Sequence, residues 1–165
     1  MLVQWCLGRC AVLLLKETQE TELPTKTLIS IIDDDESGRE ALMGLMKSFG
    51  FTVEAFPSAV DFLACPNVRD TSCLIADVHM PRMTGVELHS RLVESGYAIP
   101  MILITAYPDD KVRARALTDG VIGYLSKPCD EDALLGCVWS ALERAKPAED
   151  HSRRPQLDRV LGDDY

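Results

Sequence analysis

The chain has 165 residues, of which 47% are hydrophobic and 26% charged. This balance is typical of a globular domain and excludes disorder along the whole length. The 26 Asp and Glu against 17 Lys and Arg give a net charge of −9. Because phosphates need cationic partners, we expect no nucleic-acid partner for this chain.

The amino-terminal residues 1–26 are predicted to be a poorly ordered or amphipathic extension followed by a linker. Met1–Leu15 is largely apolar, but Arg9 interrupts it, and the stretch is shorter than the roughly 20 residues that span a bilayer. A signal peptide is disfavoured because charged residues, not a small-residue cleavage site, follow. We therefore expect no membrane partner. The six cysteines form no Cys-x-x-C pair, which favours reduced thiols in a cytoplasmic protein.

Between residues 27 and 146, short apolar runs alternate with longer segments of helical periodicity. Strands are predicted at residues 28–32, 51–56, 73–76, 101–104 and 122–125. A helix is predicted after each strand, with apolar residues at helical spacing that include Phe49, Val60 and Leu117. Residues 147–165 are predicted to form a polar, mobile tail.

Capping residues stand at the ends of the predicted helices. Ser58, Thr84 and Asp130 occupy predicted helix starts, and Gly50 and Gly120 occupy predicted ends. Five strand–helix units in series indicate parallel strands joined by crossover helices. The predicted fold is therefore α/β, a doubly wound, five-stranded parallel sheet with helices on both faces, as in flavodoxin-like proteins.

In such sheets the functional site lies where the strands end. Polar residues follow four predicted strands: Asp33 and Asp34 the first, Asp77 the third, Thr105 and Ala106 the fourth, and Lys127 and Pro128 the fifth. Taken singly, each has an ordinary alternative, such as an acidic helix start, a helix cap or a solvated surface lysine. Their joint presence at one edge of the sheet favours a common site.

The acidic residues of this edge suggest a metal. Three carboxylates in one small site repel one another unless a cation joins them. Mg²⁺ prefers oxygen ligands and keeps several waters. We expect Asp34 and Asp77 to be direct ligands, Asp33 to hold a metal-bound water, and the backbone carbonyl of His79 to fill a further position.

The same set of groups suits phosphoryl transfer, in which catalysis is mostly positioning and charge neutralisation. Asp77 is the predicted nucleophile and phosphoryl acceptor. The Lys127 ammonium and the Thr105 hydroxyl are each predicted to contact one oxygen of the transferred group.

Four stretches of sequence stand together in one order: Ile31–Glu36, Ile75–Gly85 with its Met-Pro turn, Ile104–Ala106 and Gly123–Pro128. They resemble the motifs of the CheY-like receiver domains of bacterial two-component response regulators, and their form is most similar to FixJ-type receivers. The resemblance covers the segment from about Thr27 to Ala145. It implies that Tyr124 is the switch aromatic, that Ala106 is the small residue after the switch hydroxyl, and that Pro128 stands at a cis turn or has a structural role.

The resemblance implies a phosphorelay switch, not an enzyme beyond its own phosphorylation and dephosphorylation. A sensor histidine kinase or phosphotransfer protein would load Asp77; Thr105 would then move inward and Tyr124 would rotate into the vacated space. The output surface is expected on the fourth helix, fifth strand and fifth helix, where it would bind an output protein or a second copy of the chain. The residues predicted to lie near this surface are Lys111, Arg115, Leu117, Tyr124 and Leu134.

The chain departs from the family pattern in two places. Cys129 stands where the family often carries Phe, which leaves the chemistry intact but changes a packing surface. After Lys146 only 19 residues remain, too few for a DNA-binding helical module. We expect either a stand-alone receiver or a piece of a longer regulator.

Two alternative functions compete with this interpretation. A haloacid-dehalogenase-like phosphohydrolase would use Asp33 as its nucleophile, with Asp35, Thr105 and Lys127 in supporting roles; it is disfavoured because the chain has no obvious room for a cap domain. A pseudo-receiver that binds partners without taking phosphate is disfavoured because every pocket residue is present.

Overall fold

The computed structural model describes residues 27–145, so the predicted extension at 1–26 and the predicted tail at 147–165 lie outside the described residues. The strands are β1 (Leu28–Ile32), β2 (Thr52–Phe56), β3 (Thr71–Asp77), β4 (Met101–Thr105) and β5 (Gly123–Ser126). The α-helices are α1 (Glu36–Ser48), α2 (Ala59–Ala64), α3 (Gly85–Glu94), α4 (Asp110–Thr118) and α5 (Glu131–Ala145). None of these helices is long and apolar enough to cross a bilayer.

The strands form one parallel sheet in the order β2-β1-β3-β4-β5. This confirms the predicted doubly wound fold. The chain adds β2 on one side of β1 and then builds β3, β4 and β5 on the other side. The topological switch point therefore lies between β1 and β3, and the loops that leave these two strands diverge around a crevice.

The core has two layers, one on each face of the sheet. On one face α1 and α5 pack through residues that include Met46 and Val138. On the other face α2, α3 and α4 pack through residues that include Phe62, Leu88 and Ala116. The central strands are buried on both faces, which explains why their sequences are continuous apolar runs and not alternating ones.

The start of β3 differs from the prediction. The strand begins at Thr71, two residues before the apolar run, and a 3₁₀ helix at Val68–Asp70 precedes it. Thr71 is 6% exposed, and its hydroxyl lies 2.9 Å from that of Ser30 on β1. Because these two buried hydroxyls satisfy each other, polar residues can extend a strand that hydrophobicity alone would end.

Three apolar residues of the predicted helices are exposed in the structure: Phe49, Val60 and Leu117, at 47%, 42% and 41%. Phe49 is the C-cap of α1 and lies beyond its buried stripe. The short helix α2 buries Ala59 and Phe62 instead of Val60, and α4 buries only Ala116.

Candidate functional site

The strand register brings the predicted site residues to one edge. Asp77, the last residue of β3, pairs with Ile104 on β4, and Thr105 at the end of β4 pairs with Ser126 on β5. The backbone N–H of Lys127 then donates to the Thr105 carbonyl at 2.7 Å. Neighbouring strands therefore end level with each other, and their terminal side chains meet in the crevice.

A lysine ammonium joins two of the carboxylates. Nζ of Lys127 lies 2.7 Å from Oδ2 of Asp33 and 2.6 Å from Oδ2 of Asp77. The side chains of Asp33, Asp77 and Lys127 are 0%, 10% and 24% exposed. Burial of the ammonium alone lowers the pKa of Lys127, but the hydrogen bonds and ion pairs with the two carboxylates outweigh it and raise the pKa. The lysine therefore stays charged and neutralises part of the acidic site.

The three consecutive aspartates have three different positions. Asp33 is fully buried, and its Oδ1 accepts a hydrogen bond from the backbone N–H of Asp35 at 3.0 Å. Asp35 is the N-cap of α1, because its Oδ2 accepts from the Gly38 N–H at 2.7 Å. Asp34 between them is exposed. Asp35 therefore serves as an ordinary acidic helix start, whereas Asp33 lies with Asp77 and Lys127 at the strand ends.

The donor set fits a hard divalent cation. Carboxylate oxygens of Asp33, Asp34 and Asp77 lie within 4.8 Å of one another, and oxygen ligands at one edge with solvent access are what Mg²⁺ prefers. Asp34 is the most accessible of the three. The geometry therefore suits a magnesium site held by carboxylates, while the role of the His79 carbonyl stays a prediction.

The turn after Asp77 is held by close backbone packing at Gly85. The Gly85 N–H donates to the Val78 carbonyl at 3.0 Å. A Cβ atom at Gly85 would lie 2.5 Å from the Asp77 carbonyl oxygen and 2.7 Å from Cδ2 of Leu103. No larger residue fits without a shift of the turn. The absence of a side chain at Gly85 therefore allows the turn to approach Asp77 and Leu103 closely, a reason that the sequence motif alone did not show.

The Thr105 hydroxyl has two partners in the described structure. It is fully buried, lies 3.1 Å from Nδ1 of His79 and accepts a hydrogen bond from the Tyr107 N–H at 3.1 Å. The His79 and Tyr107 rings meet edge-on with centroids 6.0 Å apart. The imidazole of His79 is the contact that the sequence analysis missed, since only its backbone carbonyl was considered there. Ala106, predicted next to the site, is exposed between Thr105 and Tyr107.

Tyr124 lies inward. The ring is 6% exposed and packs into the core layer beneath α4, and its hydroxyl accepts a hydrogen bond from the Asp109 N–H at 3.4 Å. The ring is thus already buried here, and its predicted rotation into the space that Thr105 vacates stays a prediction. Thr105 and Tyr124 both bind backbone N–H groups of the loop at 106–109, so both predicted switch residues contact the same loop.

The structure also describes two other features named in the sequence analysis, the peptide bond before Pro128 and the position of Leu134. The Lys127–Pro128 peptide bond is cis. Leu134 on α5 is fully buried and Tyr124 is 6% exposed, so near these two positions the predicted output surface would be formed by their exposed neighbours. The two residues belong to opposite core layers, Leu134 to the layer of α1 and α5 and Tyr124 to the layer of α2, α3 and α4. Lys111 and Leu117 of α4 are exposed, and the output surface itself stays a prediction.

Comparison with known proteins identifies the class. A family model, the response regulator receiver domain, matches residues 29–138. Response regulator protein TodT of Pseudomonas putida is 38% identical over 134 residues, which cover 81% of this chain and 58% of TodT. Transcriptional regulatory protein FixJ of Bradyrhizobium diazoefficiens is 33% identical over 126 residues, which cover 76% of this chain and 62% of FixJ.

Solved structures agree with this. The structure of response regulator StyR matches with a TM-score of 0.69 at 38% identity, covering 73% of this chain and 61% of that one. The chain therefore belongs to the receiver-domain family of response regulators, the signalling domains of two-component phosphorelays. It spans about three fifths of the length of the curated relatives that it matches.

Proposed function

We propose that this receiver takes a phosphoryl group onto Asp77 from the phosphohistidine of a sensor histidine kinase or phosphotransfer protein, and that the phosphate changes its binding to a partner. The observation that carries the proposal is the double ion pair of Lys127. Among the described acidic residues, Asp77 and Asp33 are the two that form ion pairs with Lys127 at the strand ends. Four free cysteines among the described residues are compatible with a reducing, cytoplasmic setting.

In the proposed transfer an oxygen of Asp77 attacks the phosphorus atom, the phosphorus–nitrogen bond of the donor breaks, and its electron pair leaves with the imidazole. Mg²⁺ bound by Asp34 and Asp77, with Asp33 holding a metal-bound water, would neutralise negative charge on the phosphoryl group during its transfer. The Lys127 ammonium moves from an Asp77 oxygen to a phosphoryl oxygen, so the site keeps a cation beside the negative charge throughout. The Thr105 hydroxyl donates to another phosphoryl oxygen.

The switch is proposed to pass through the loop at 106–109. This loop is bound at one end by the Thr105 hydroxyl, through the Tyr107 N–H, and at the other by the Tyr124 hydroxyl, through the Asp109 N–H. Movement of Thr105 toward the phosphate alters the first contact and therefore the start of α4, where Asp109 is the N-cap. The exposed face of α4 would then bind an output protein or a second receiver.

The phosphohydrolase alternative is not favoured. Its nucleophile would be Asp33, but this side chain is fully buried. Asp77 is the less buried of the two carboxylates bound to Lys127. The family match also supports the receiver.

The test is to load the protein with radiolabelled acetyl phosphate in Mg²⁺ and compare four chains: the wild type, Asp77→Asn, Asp34→Asn and Asp33→Asn. We expect label on the wild type, none on Asp77→Asn, and reduced but detectable label on Asp34→Asn, which keeps the acceptor. Circular dichroism checks that each variant is folded. Label that survives in Asp77→Asn and disappears in Asp33→Asn would favour the phosphohydrolase and overturn the proposal.

A further inference from the structure

We propose that the imidazole of His79 is a positioning residue that holds the Thr105 hydroxyl and competes with the phosphoryl group for it. The inference rests on the proposed function, since it concerns the hydroxyl that the phosphate on Asp77 must engage. It starts from the 3.1 Å contact between Nδ1 of His79 and Oγ1 of Thr105. This contact joins the loop after β3 to the end of β4 directly beside the acceptor.

The direction of this hydrogen bond follows from counting donors and acceptors. A threonine hydroxyl has one proton to donate and two lone pairs. The Tyr107 N–H can only donate, so it occupies a lone pair. Among the described residues, Nδ1 of His79 is the one remaining partner of the fully buried hydroxyl. Because a buried donor needs an acceptor, the Thr105 hydroxyl donates to Nδ1, and the proton of the neutral imidazole is on Nε2.

This assignment creates a competition. The hydroxyl has a single proton, so it cannot donate to a phosphoryl oxygen and to His79 at once. Phosphorylation therefore breaks the bond to Nδ1, and His79 stabilises the form of the domain without phosphate. The edge-on contact with the Tyr107 ring holds the imidazole in place. When Thr105 leaves, the imidazole loses its hydrogen-bond partner and the Tyr107 N–H loses its acceptor, at the loop that leads into α4.

Two isosteric substitutions separate the hydrogen bond from the volume of the side chain. In His79→Asn the amide oxygen occupies nearly the position of Nδ1 and can accept the same proton. In His79→Leu a methyl group takes this place and nothing accepts. The backbone carbonyl expected at the metal is present in both variants, so affinity for Mg²⁺ alone serves as the internal control.

The experiment measures binding of beryllium fluoride, a phosphoryl mimic, in saturating Mg²⁺ by calorimetry. Loss of a neutral hydrogen bond corresponds to about two- to tenfold in an equilibrium constant. We expect His79→Leu to bind the mimic tighter than the wild type by that factor, and His79→Asn to stay near the wild type. In a Thr105→Val background the difference between His79 and Leu should vanish, which a merely structural effect would not do.

A second measurement tests the hydrogen-bond direction. The ¹⁵N shifts of the His79 ring, recorded at about pH 8 where histidine is ordinarily neutral, should show the proton on Nε2 and should change when beryllium fluoride is added. A proton on Nδ1, equal affinities of the Leu and Asn variants, or weaker binding by the Leu variant would overturn the inference. Beryllium fluoride that binds undiminished to Asp77→Asn would instead contradict the proposed function, so the two failures are distinguishable.

Discussion

At the scale of single residues, Lys127 is the cation that forms ion pairs with two carboxylates in the described part of the chain. Its ammonium lies within 2.7 Å of two carboxylates that are almost completely buried. Removing one partner of a buried charge pair leaves the other charges uncompensated, which is usually more costly than the pair itself is stabilising. The two aspartates would then repel each other across the switch point of the sheet.

We therefore expect Lys127→Met to lower the free energy of unfolding by about 2 kcal/mol in the absence of divalent cations, less than for a fully buried pair because Lys127 is partly exposed. Saturating Mg²⁺ should recover a large share of this loss, because the cation replaces the missing positive charge. Urea unfolding with and without Mg²⁺ measures both quantities. Lys111→Met, which removes an exposed lysine of α4, should change neither; an equal loss in both variants would contradict the role of the ion pairs.

His89 on α3 provides a pH-dependent prediction. The residue is 8% exposed, and burial lowers the pKa of its imidazole, an effect that the nearby Asp119 carboxylate partly opposes. The unfolded chain, with an ordinary histidine pKa of about 6.5, therefore takes up the proton more readily than the folded chain. The stability associated with neutral His89 is present above about pH 6.5 and is lost as the pH falls below that value.

Urea unfolding between about pH 5 and pH 7.5 should accordingly show wild type gaining stability over His89→Gln as the pH rises. Asp119→Asn removes the opposing charge, so the stability of this variant should depend more strongly on pH than that of the wild type. A difference between wild type and His89→Gln that is constant over this range would contradict the assignment.

At the scale of elements, two glycines in helices have opposite roles. At Gly85, the first residue of α3, an added Cβ would meet the Asp77 carbonyl at 2.5 Å. At Gly44, in the middle of α1, an added Cβ would meet nothing within 4 Å. The same substitution to alanine therefore acts through packing at one site and through backbone entropy at the other.

Gly85→Ala should destabilise the fold by about 1–3 kcal/mol, the usual range for overpacking, and should displace the acceptor turn and so reduce phosphorylation. Gly44→Ala should stabilise it by about 0.5–1 kcal/mol, because alanine loses less entropy in a helix. Thermal unfolding and labelling by acetyl phosphate measure the two effects. If Gly85→Ala leaves the midpoint unchanged or raises it as Gly44→Ala does, the close approach at Gly85 is not a constraint.

At the scale of the whole molecule, the question is which exposed face transmits the signal. The helix α4 buries only Ala116, so its attachment to the sheet is slight and its exposed face is large. Leu117 is 41% exposed on this face, and Val60 on α2 is 42% exposed on another. The two residues are matched in exposure and differ in their distance along the chain from the loop at 106–109.

Sedimentation of the protein with Mg²⁺ and beryllium fluoride should therefore separate these two positions. We expect Leu117→Asp to weaken by at least about tenfold any association that the mimic induces with a second copy or an output protein, since a buried unpaired carboxylate at an interface costs more than 1.4 kcal/mol. Val60→Asp should have little effect. The reverse order would place the output surface on α2.

Much of the fold and of the site could be predicted from the sequence, because the strands are buried on both faces and are therefore unmistakable apolar runs. Strand ends are then fixed by the change to polar residues, which locates Asp33, Asp77 and Lys127 without any knowledge of side-chain geometry. The start of β3 could not be found in this way, since the Ser30–Thr71 pair becomes apparent only when the two strands are side by side.

The other features that the sequence did not predict have the same cause, a contact between segments that are distant in sequence. The imidazole of His79 reaches a hydroxyl that is 26 residues away in sequence, and only the shape of the turn brings them together. Leu134 was expected near an output surface and is fully buried, since helical spacing does not distinguish a residue facing the sheet from one facing a partner. Contacts between distant segments, and the orientation of a side chain on its helix, require three-dimensional information that periodicity lacks.

The lysine bridge also has a consequence for the ions that surround the protein. An ammonium tethered to the fold has an effective concentration at the two carboxylates far above that of a free solute; short tethers commonly reach the millimolar range or beyond. Sodium and potassium, which bind carboxylates weakly, would have to displace this resident cation and gain nothing in charge. We expect the pocket to be insensitive to ordinary changes in monovalent salt, and to respond to a divalent ion that can use the exposed carboxylate of Asp34.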